Sequence, residues 1–185
     1  MHLWLRKSWH LLGNLIPLIY LHSSLSSLQA ALIVFIFFLC SFSIDLLRLK
    51  VPAFNQWFLT YFGILVKEKE KHSFTGSTYY FLAISLTLLI FPKIISVCAV
   101  FYLTLGDPIA AIAGHYLPLK RIWQRKSLGG SLANFFICLI IGIHFFPIFI
   151  AFLGAFTATL AELFSPIDDA LSIPLLSAFV LYLLT

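Results

Sequence analysis

Nine consecutive residues, Ala31 to Leu39 (ALIVFIFFL), carry apolar side chains in every direction, whatever backbone conformation they take. Strands of a membrane barrel alternate lipid-facing apolar positions with polar lumen-facing ones, so this run does not fit a barrel. Comparable stretches recur along the chain, 61% of whose 185 residues are hydrophobic and only 10% charged, against about 45–50% and about 25% in soluble domains. The expected solvent is therefore lipid, where every backbone N–H and C=O must be paired internally. The fold class that follows is all-α: a polytopic helical membrane bundle, read as a single integral-membrane domain over residues 1–185.

Other classes fall away on the same grounds. Cys40, Cys98 and Cys138 all lie inside apolar runs with no CxxC spacing, so they read as small packing residues and not as a disulfide framework or zinc site. The net charge of +5 is scattered between apolar spans, which argues for membrane orientation and against nucleic acid as a partner. The basic N-terminus followed by an apolar stretch reads as an uncleaved first helix.

Apolar stretches bounded by charge, Pro or Gly place seven spans near 10–24, 28–47, 77–95, 96–118, 131–147, 147–164 and 170–185. Residues 53–66 are aromatic-rich but interrupted by Asn55 and Gln56, the pattern of a helix lying in the headgroup region. With Arg6 and Lys7 in the cytoplasm, these crossings put eleven of the twelve Lys and Arg on that side and leave only Lys93 outside, as the positive-inside rule requires. Every polar cluster then falls at one membrane face.

The first cluster is Leu105 to Gly114 (LGDPIAAIAG). An aspartate within an apolar span costs about 2.5–3.5 kcal/mol on insertion and is by default functional. Pro108 suits a first helical position with Asp107 as N-cap, which predicts a broken span; the alternative is a Pro-kinked helix that Asp107 merely caps. Gly106, Ala110 and Gly114 form a small-residue stripe that admits a neighbouring helix.

The second cluster, Arg125 to Ser131 (RKSLGGS), joins cations to a glycine-rich turn opening a helix. That is a plausible phosphate cradle, though its spacing is not that of a P-loop, and a basic loop with Ser127 or Ser131 as cap is the bland alternative. In the third cluster, Glu162 shares a face with Gly154 and Ala158 and so points at a helix neighbour. Asp168 and Asp169 beside it suit Mg²⁺, which takes one or two carboxylates plus substrate phosphates. Ser165 with Asp168 also reads as a capping box with Pro166 at the first helical position.

Two clusters are less specific. Arg6, Lys7 and His10 could meet a lipid headgroup or phosphate, or simply anchor the first helix. Lys71, Thr75 and Ser77, in KEKHSFTGST at 69–78, could clamp phosphate or form an ordinary capped helix entry. Carboxylates, cations and Gly/Ser turns without a paired nucleophile and base suit phosphoryl or nucleotidyl transfer, where catalysis is positioning and charge neutralisation.

Five motifs in order, RKSWHLLG at 6–13, KHSFTGSTYY at 71–80, LGDPIAAIAG at 105–114, KSLGGSLANF at 126–135 and AELFSPIDDALSIP at 161–174, resemble the CTP-dependent lipid-alcohol kinases: dolichol kinase, phytol and farnesol kinase, and the CTP-dependent diacylglycerol kinase. The resemblance implies transfer of the γ-phosphate of CTP or another nucleoside triphosphate to the hydroxyl of a membrane lipid such as diacylglycerol or a polyprenol. It implies that Asp107, Lys126 and Glu162 are catalytic and that Asp107, Asp168 and Asp169 hold Mg²⁺. Arg125, Lys126, Ser127, Gly130 and Ser131, with Lys71, Thr75 and Ser77, would bind the nucleotide phosphates, while Arg6, Lys7 and His10 would contact lipid or phosphate. The expected setting is the inner or plasma membrane of a bacterium, with the site facing the cytoplasm.

Gly129 stands where that family has an acidic residue, and Ala170 where it has an amide. The nearest related activity is that of the phosphatidate cytidylyltransferases, which also use CTP; a non-catalytic lipid-binding or transport protein is the third reading.

Overall fold

The computed structural model describes residues 11–117, 119–123, 126–165 and 168–185. Nine α-helices occur among them: α1 (Leu15–His22), α2 (Ser27–Lys50), α3 (Pro52–Phe62), α4 (Gly76–Ile90), α5 (Lys93–Phe101), α6 (Asp107–Tyr116), α7 (Leu128–Phe145), α8 (Ile148–Phe164) and α9 (Asp169–Leu184). Short 3₁₀ turns lie at Gly63–Leu65 and Glu68–His72, and a π turn at Tyr102–Gly106 joins α5 to α6.

Three helical stretches are long and apolar enough to cross a membrane: Ser27–Lys50, Lys93–Tyr116 and Leu128–Phe145. Shorter apolar helices occupy Gly76–Ile90, Ile148–Phe164 and Asp169–Leu184, so six of the seven expected spans coincide with apolar helices. The first, 10–24, contributes only the eight residues of α1 to the described structure. The Lys93–Tyr116 stretch is 67% buried, against 22% and 33% for the other two long ones. It is the central post of the bundle, and Val97, Cys98, Ala99, Val100 and Tyr102 on it are wholly enclosed.

Prolines set the helical hairpins. Helices α4 and α7 each stop at the residue before a proline, Phe91 and Phe146, because that residue is biased out of the helical region; Pro92 and Pro147 then serve as the N-caps of α5 and α8. The boundary expected at 95–96 therefore falls at Phe91–Pro92. At this end Lys93 Nζ donates to Ser23 O at 2.7 Å and lies over the Tyr20 ring at 5.0 Å. Ser23 and Lys93 thus sit at the Ser27 end of α2, away from the other lysines of the described structure that gather near Lys50.

The expected break at Asp107 does not occur. Asp107 is itself helical (φ −60°, ψ −46°), and no side chain caps α6. Pro108 cannot donate to the carbonyl four residues back, and the π turn just before it absorbs that mismatch without interrupting the span. The Thr104 hydroxyl donates to Asn14 Oδ1 at this point, tying the turn to the start of α1.

One cap differs from expectation, and of the two offered for α7 the structure uses Ser127. Asp168, not Ser165, caps α9, its carboxylate accepting from Ala170 N at 3.2 Å, and Ser165 instead shares a 2.9 Å hydrogen bond with Ser172. Helix α7 begins three residues before the expected 131, with Ser127 Oγ accepting from Gly130 N. Helix α3 has no buried residue and leaves Trp57 and Tyr61 exposed, which fits the interfacial reading of 53–66.

Candidate active site

At the Lys50 end of the bundle a cavity of about 1300 Å³ opens between α3, α6 and the facing ends of α7, α8 and α9. Its wall brings together Asp107, Lys126, Ser127, Gly130, Ser131, Glu162, Asp168 and Asp169. Lys71 lies on the rim. Thr75 and Ser77 do not line it: Thr75 is turned to Asp45, and Ser77 faces a second cavity. Arg6, Lys7, His10 and Arg125 lie outside the described residues.

Lys126 is delivered by a structure the all-α reading does not contain. Strands β1 (Arg121–Trp123) and β2 (Lys126–Ser127) form a small antiparallel hairpin, with Arg121 opposite Ser127 and Trp123 opposite Lys126. Leu128 N donates to Lys120 O at 3.1 Å and closes it onto α7. Lys126 Nζ then reaches Glu162 Oε1 at 2.8 Å and Asp169 Oδ2 at 2.9 Å, and also donates to the Glu162 carbonyl. Burial pushes the Lys126 ammonium toward the neutral form, but Asp169 and Glu162 more than offset this, and its pKa ends above the usual lysine value. The lysine is therefore a fixed positive charge.

Glu162 is 6% exposed, and its second oxygen, Oε2, has no hydrogen-bond partner among the described residues. The Ser131 hydroxyl, also on the cavity wall, is in the same position. Buried polar atoms are normally satisfied, and these two, a carboxylate acceptor and a hydroxyl on residues of the cavity wall, have hydrogen-bonding capacity to spare. The start of α7 is less open to an anion than its glycines suggest, because Ser127 Oγ already takes the Gly130 amide.

The small-residue stripe does what its spacing predicts. A Cβ on Gly130 would lie 2.7 Å from Ala110 O, one on Gly114 2.9 Å from Ser127 Oγ, and one on Gly106 3.0 Å from Asn134 Oδ1. The contact between α6 and α7 is thus nearly backbone to backbone, and it sets the separation of Asp107 from Lys126.

Sequence reasoning missed the buried pair Asp45 and Arg48, each 1% exposed, in the last turns of α2. Arg48 Nε donates to Asp45 Oδ1 at 2.6 Å, and its other nitrogens reach the carbonyls of Glu70, Lys71 and Ser73. An acid and a base three residues apart in an otherwise apolar helix is the signal that was available. The segment they hold carries Lys67 and Lys69 to 3.8 and 3.7 Å from Asp168 Oδ2.

A CTP-dependent diacylglycerol kinase 1 from Eremothecium gossypii is 30% identical over 172 residues, covering 75% of this chain and 53% of its own. Its counterpart in Schizosaccharomyces pombe is 29% identical over 203 aligned positions, 97% of this chain and 92% of its own. The Saccharomyces cerevisiae protein of the same name is 33% identical over 102 residues, 53% and 34% of the two chains. The chain is a relative of the CTP-dependent lipid kinases. It spans about half the length of the Eremothecium kinase and a third of the S. cerevisiae one, but nearly all of the S. pombe one. No family model matches the chain, and no solved structure matches it significantly.

The two departures from the pattern of the CTP-dependent lipid-alcohol kinases, Gly129 and Ala170, fall outside the cavity wall. Gly129 is buried against α6, where a Cβ would stand 2.4 Å from Leu117 O. Ala170 is 4% exposed, with its amide held by the Asp168 carboxylate. At Gly129 a longer side chain has no space without moving a helix.

Proposed function

We propose that the protein transfers the γ-phosphate of CTP to the hydroxyl of a lipid alcohol, diacylglycerol or a polyprenol, at the cavity that opens at the cytoplasmic face of the membrane. The observation that carries this reading is the Lys126 ammonium fixed between Glu162 and Asp169 beside a carboxylate oxygen without a partner. The three kinases with which the chain shares sequence support it.

In this reading the lipid oxygen bonds to the γ-phosphorus, the bond to the β-phosphate oxygen breaks, and CDP leaves. Glu162 Oε2 accepts the hydrogen bond of the acceptor hydroxyl and orients it; in a loose phosphoryl transition state it need not remove the proton early. Lys126 meets the phosphate oxygens, with Ser131 donating its hydroxyl beside it. The carboxylates fit Mg²⁺, a hard ion that takes one or two carboxylates and completes its shell with substrate phosphates. Asp107 with Asp168 or Asp169 would hold it, and when bound it would supply charge neutralisation on the phosphoryl oxygens. Among the described residues no three His, Cys, Asp or Glu side chains converge into a closed metal cage, and this ion requires none.

A second cavity of about 560 Å³ supports a lipid acceptor. It lies between α1, α2 and α4, is lined by Ile16, Ile19, Ile33, Val34 and Phe37, and has Ser77 and Tyr80 among its few polar contacts. An acyl or prenyl chain would rest on these apolar side chains, with Ser77 and Tyr80 as polar contacts for its head group.

The test is the reaction of the purified protein in lipid nanodiscs with CTP labelled at the α- or the γ-phosphate and a panel of lipid alcohols. Label from γ on the lipid is the expected result. Label from α would mean cytidylyl transfer, and none from either would leave a lipid-binding protein.

A further inference from the structure

The segment from Lys67 to Ser73 has little apolar surface with which to bury itself, yet it is fixed at its middle and its end by charge. Arg48 spans the carbonyls of Glu70, Lys71 and Ser73. Asp45 Oδ2 accepts from Thr75 N at 2.8 Å, Thr75 Oγ1 at 2.9 Å and Thr78 Oγ1 at 2.7 Å. Both side chains are almost wholly enclosed, a cost that is recovered only when the two charges are paired and their remaining hydrogen-bonding capacity is used. Here it is used on backbone groups and threonine hydroxyls 22 to 33 positions away. A stacked Phe42–Phe74 pair at 5.5 Å reinforces the attachment.

What this attachment presents to the cavity is a pair of lysines. Lys67 and Lys69 approach one oxygen, Asp168 Oδ2, at 3.8 and 3.7 Å, both beyond hydrogen-bond length. Lys67 also lies 3.4 Å from Glu70 Oε1 within its own turn, and Lys69 is the more exposed of the two; both line the cavity in long ion pairs that the oxygens of a phosphate chain can replace. Across the cavity Lys126 supplies a third cation.

We propose that residues 67–72 form a polyphosphate-binding strap in which Lys67 and Lys69 grip the nucleotide's phosphate chain, and that Asp45 and Arg48 are positioning residues that hold the strap over Asp168. This deepens the kinase reading and rests on it only for the identity of the ligand, since any polyphosphate offers the same chemistry.

The test measures binding of CTP and of inorganic triphosphate to the full chain in nanodiscs, alongside γ-phosphate transfer. Lys67→Gln/Lys69→Gln, which neutralise one part-buried and one exposed side chain, are expected, in a protein whose thermal midpoint is unchanged, to weaken both ligands by about tenfold or more and to raise KM for CTP with kcat within about threefold. Thr78→Val, which removes one hydrogen bond to Asp45 far from the cavity wall, is expected to raise KM for CTP a few-fold; Thr78→Ser, which keeps the hydroxyl, is expected to restore it. Wild-type affinity in the double lysine variant, or no triphosphate binding by the wild type, would overturn the strap. An unchanged KM in a folded Thr78→Val protein would overturn the positioning role. If the wild type binds triphosphate through these lysines but transfers no phosphate, the strap stands and the kinase reading fails.

Discussion

Lys126 and Glu162 are 36 positions apart in sequence and meet at 2.8 Å, with the lysine also donating to the glutamate's own carbonyl. The contact joins the β hairpin before α7 to the last turn of α8. Without it two carboxylates would face each other across the cavity. Lys126→Gln should therefore lower kcat/KM by about 10²–10³, the usual scale for losing one preorganised charge at a reacting group. Steady-state kinetics with CTP check this; a variant within tenfold of wild type would remove Lys126 from the chemistry.

Asp107→Asn keeps the size and helical geometry of the side chain but removes its charge. The protein should still insert and bind lipid, while Mg²⁺-dependent transfer should be abolished. A Mg²⁺ titration of the variant separates the outcomes, since wild-type rates would refute the metal assignment.

Restoring the acidic residue at position 129 should harm the protein, not improve it. Gly129→Glu places a Cβ 2.4 Å from a backbone carbonyl that cannot step aside, and over-packing of this kind costs about 1–3 kcal/mol. A lower midpoint of thermal unfolding in detergent is the expected result, with Gly129→Ala already showing part of it.

Filling the apolar groove from its rim should act on the lipid alone. Ile33→Trp projects into the cavity between α1 and α2 from a half-exposed position. KM for a long-chain diacylglycerol should rise several-fold while KM for CTP stays unchanged, and a short-chain acceptor should be spared.

The raised pKa of Lys126 fixes its place in any pH profile. A cation whose folded pKa lies above its unfolded value contributes stability that is complete below the unfolded value, about 10.4, and is lost only as pH rises through the folded one. Thermal midpoints of the wild type and of Lys126→Arg, which does not titrate, should therefore run parallel from pH 6 to 9. They should diverge only above about pH 10.

Much of this architecture is legible in the sequence because lipid leaves few options. Apolar runs, prolines and lysines place six of the helices, and the spacing of Gly106, Ala110 and Gly114 marks the close contact with α7. The carboxylates and Lys126 reach one cavity because each lies at the same end of its span. What escapes is non-local. The pairing of Lys120–Ser127 into a hairpin depends on contacts that a basic loop does not advertise. Asp45 and Arg48 lie in an apolar helix whose partners are 22 to 33 residues on. Thr75 reads as a phosphate ligand by type and neighbourhood, yet its hydroxyl is committed to Asp45. Asp107 beside Pro108 has the local signature of a helix start, and only the widened turn before it lets the helix run on.

That widened turn has a further consequence. A π turn holds one more residue than the α-helical turn it replaces, and each residue of a helix advances the azimuth by about 100°. Everything after Gly106 is therefore rotated by more than a quarter of a circle relative to α5, although the axis of the span continues. The first half of the post is keyed to the core through Val97, Cys98 and Val100, and the second half aims Asp107 at the cavity. One inserted residue thus lets packing and chemistry choose their faces independently on a single rod, and deleting it would turn the aspartate away from Lys126 while leaving the length and hydropathy of the span almost as they are.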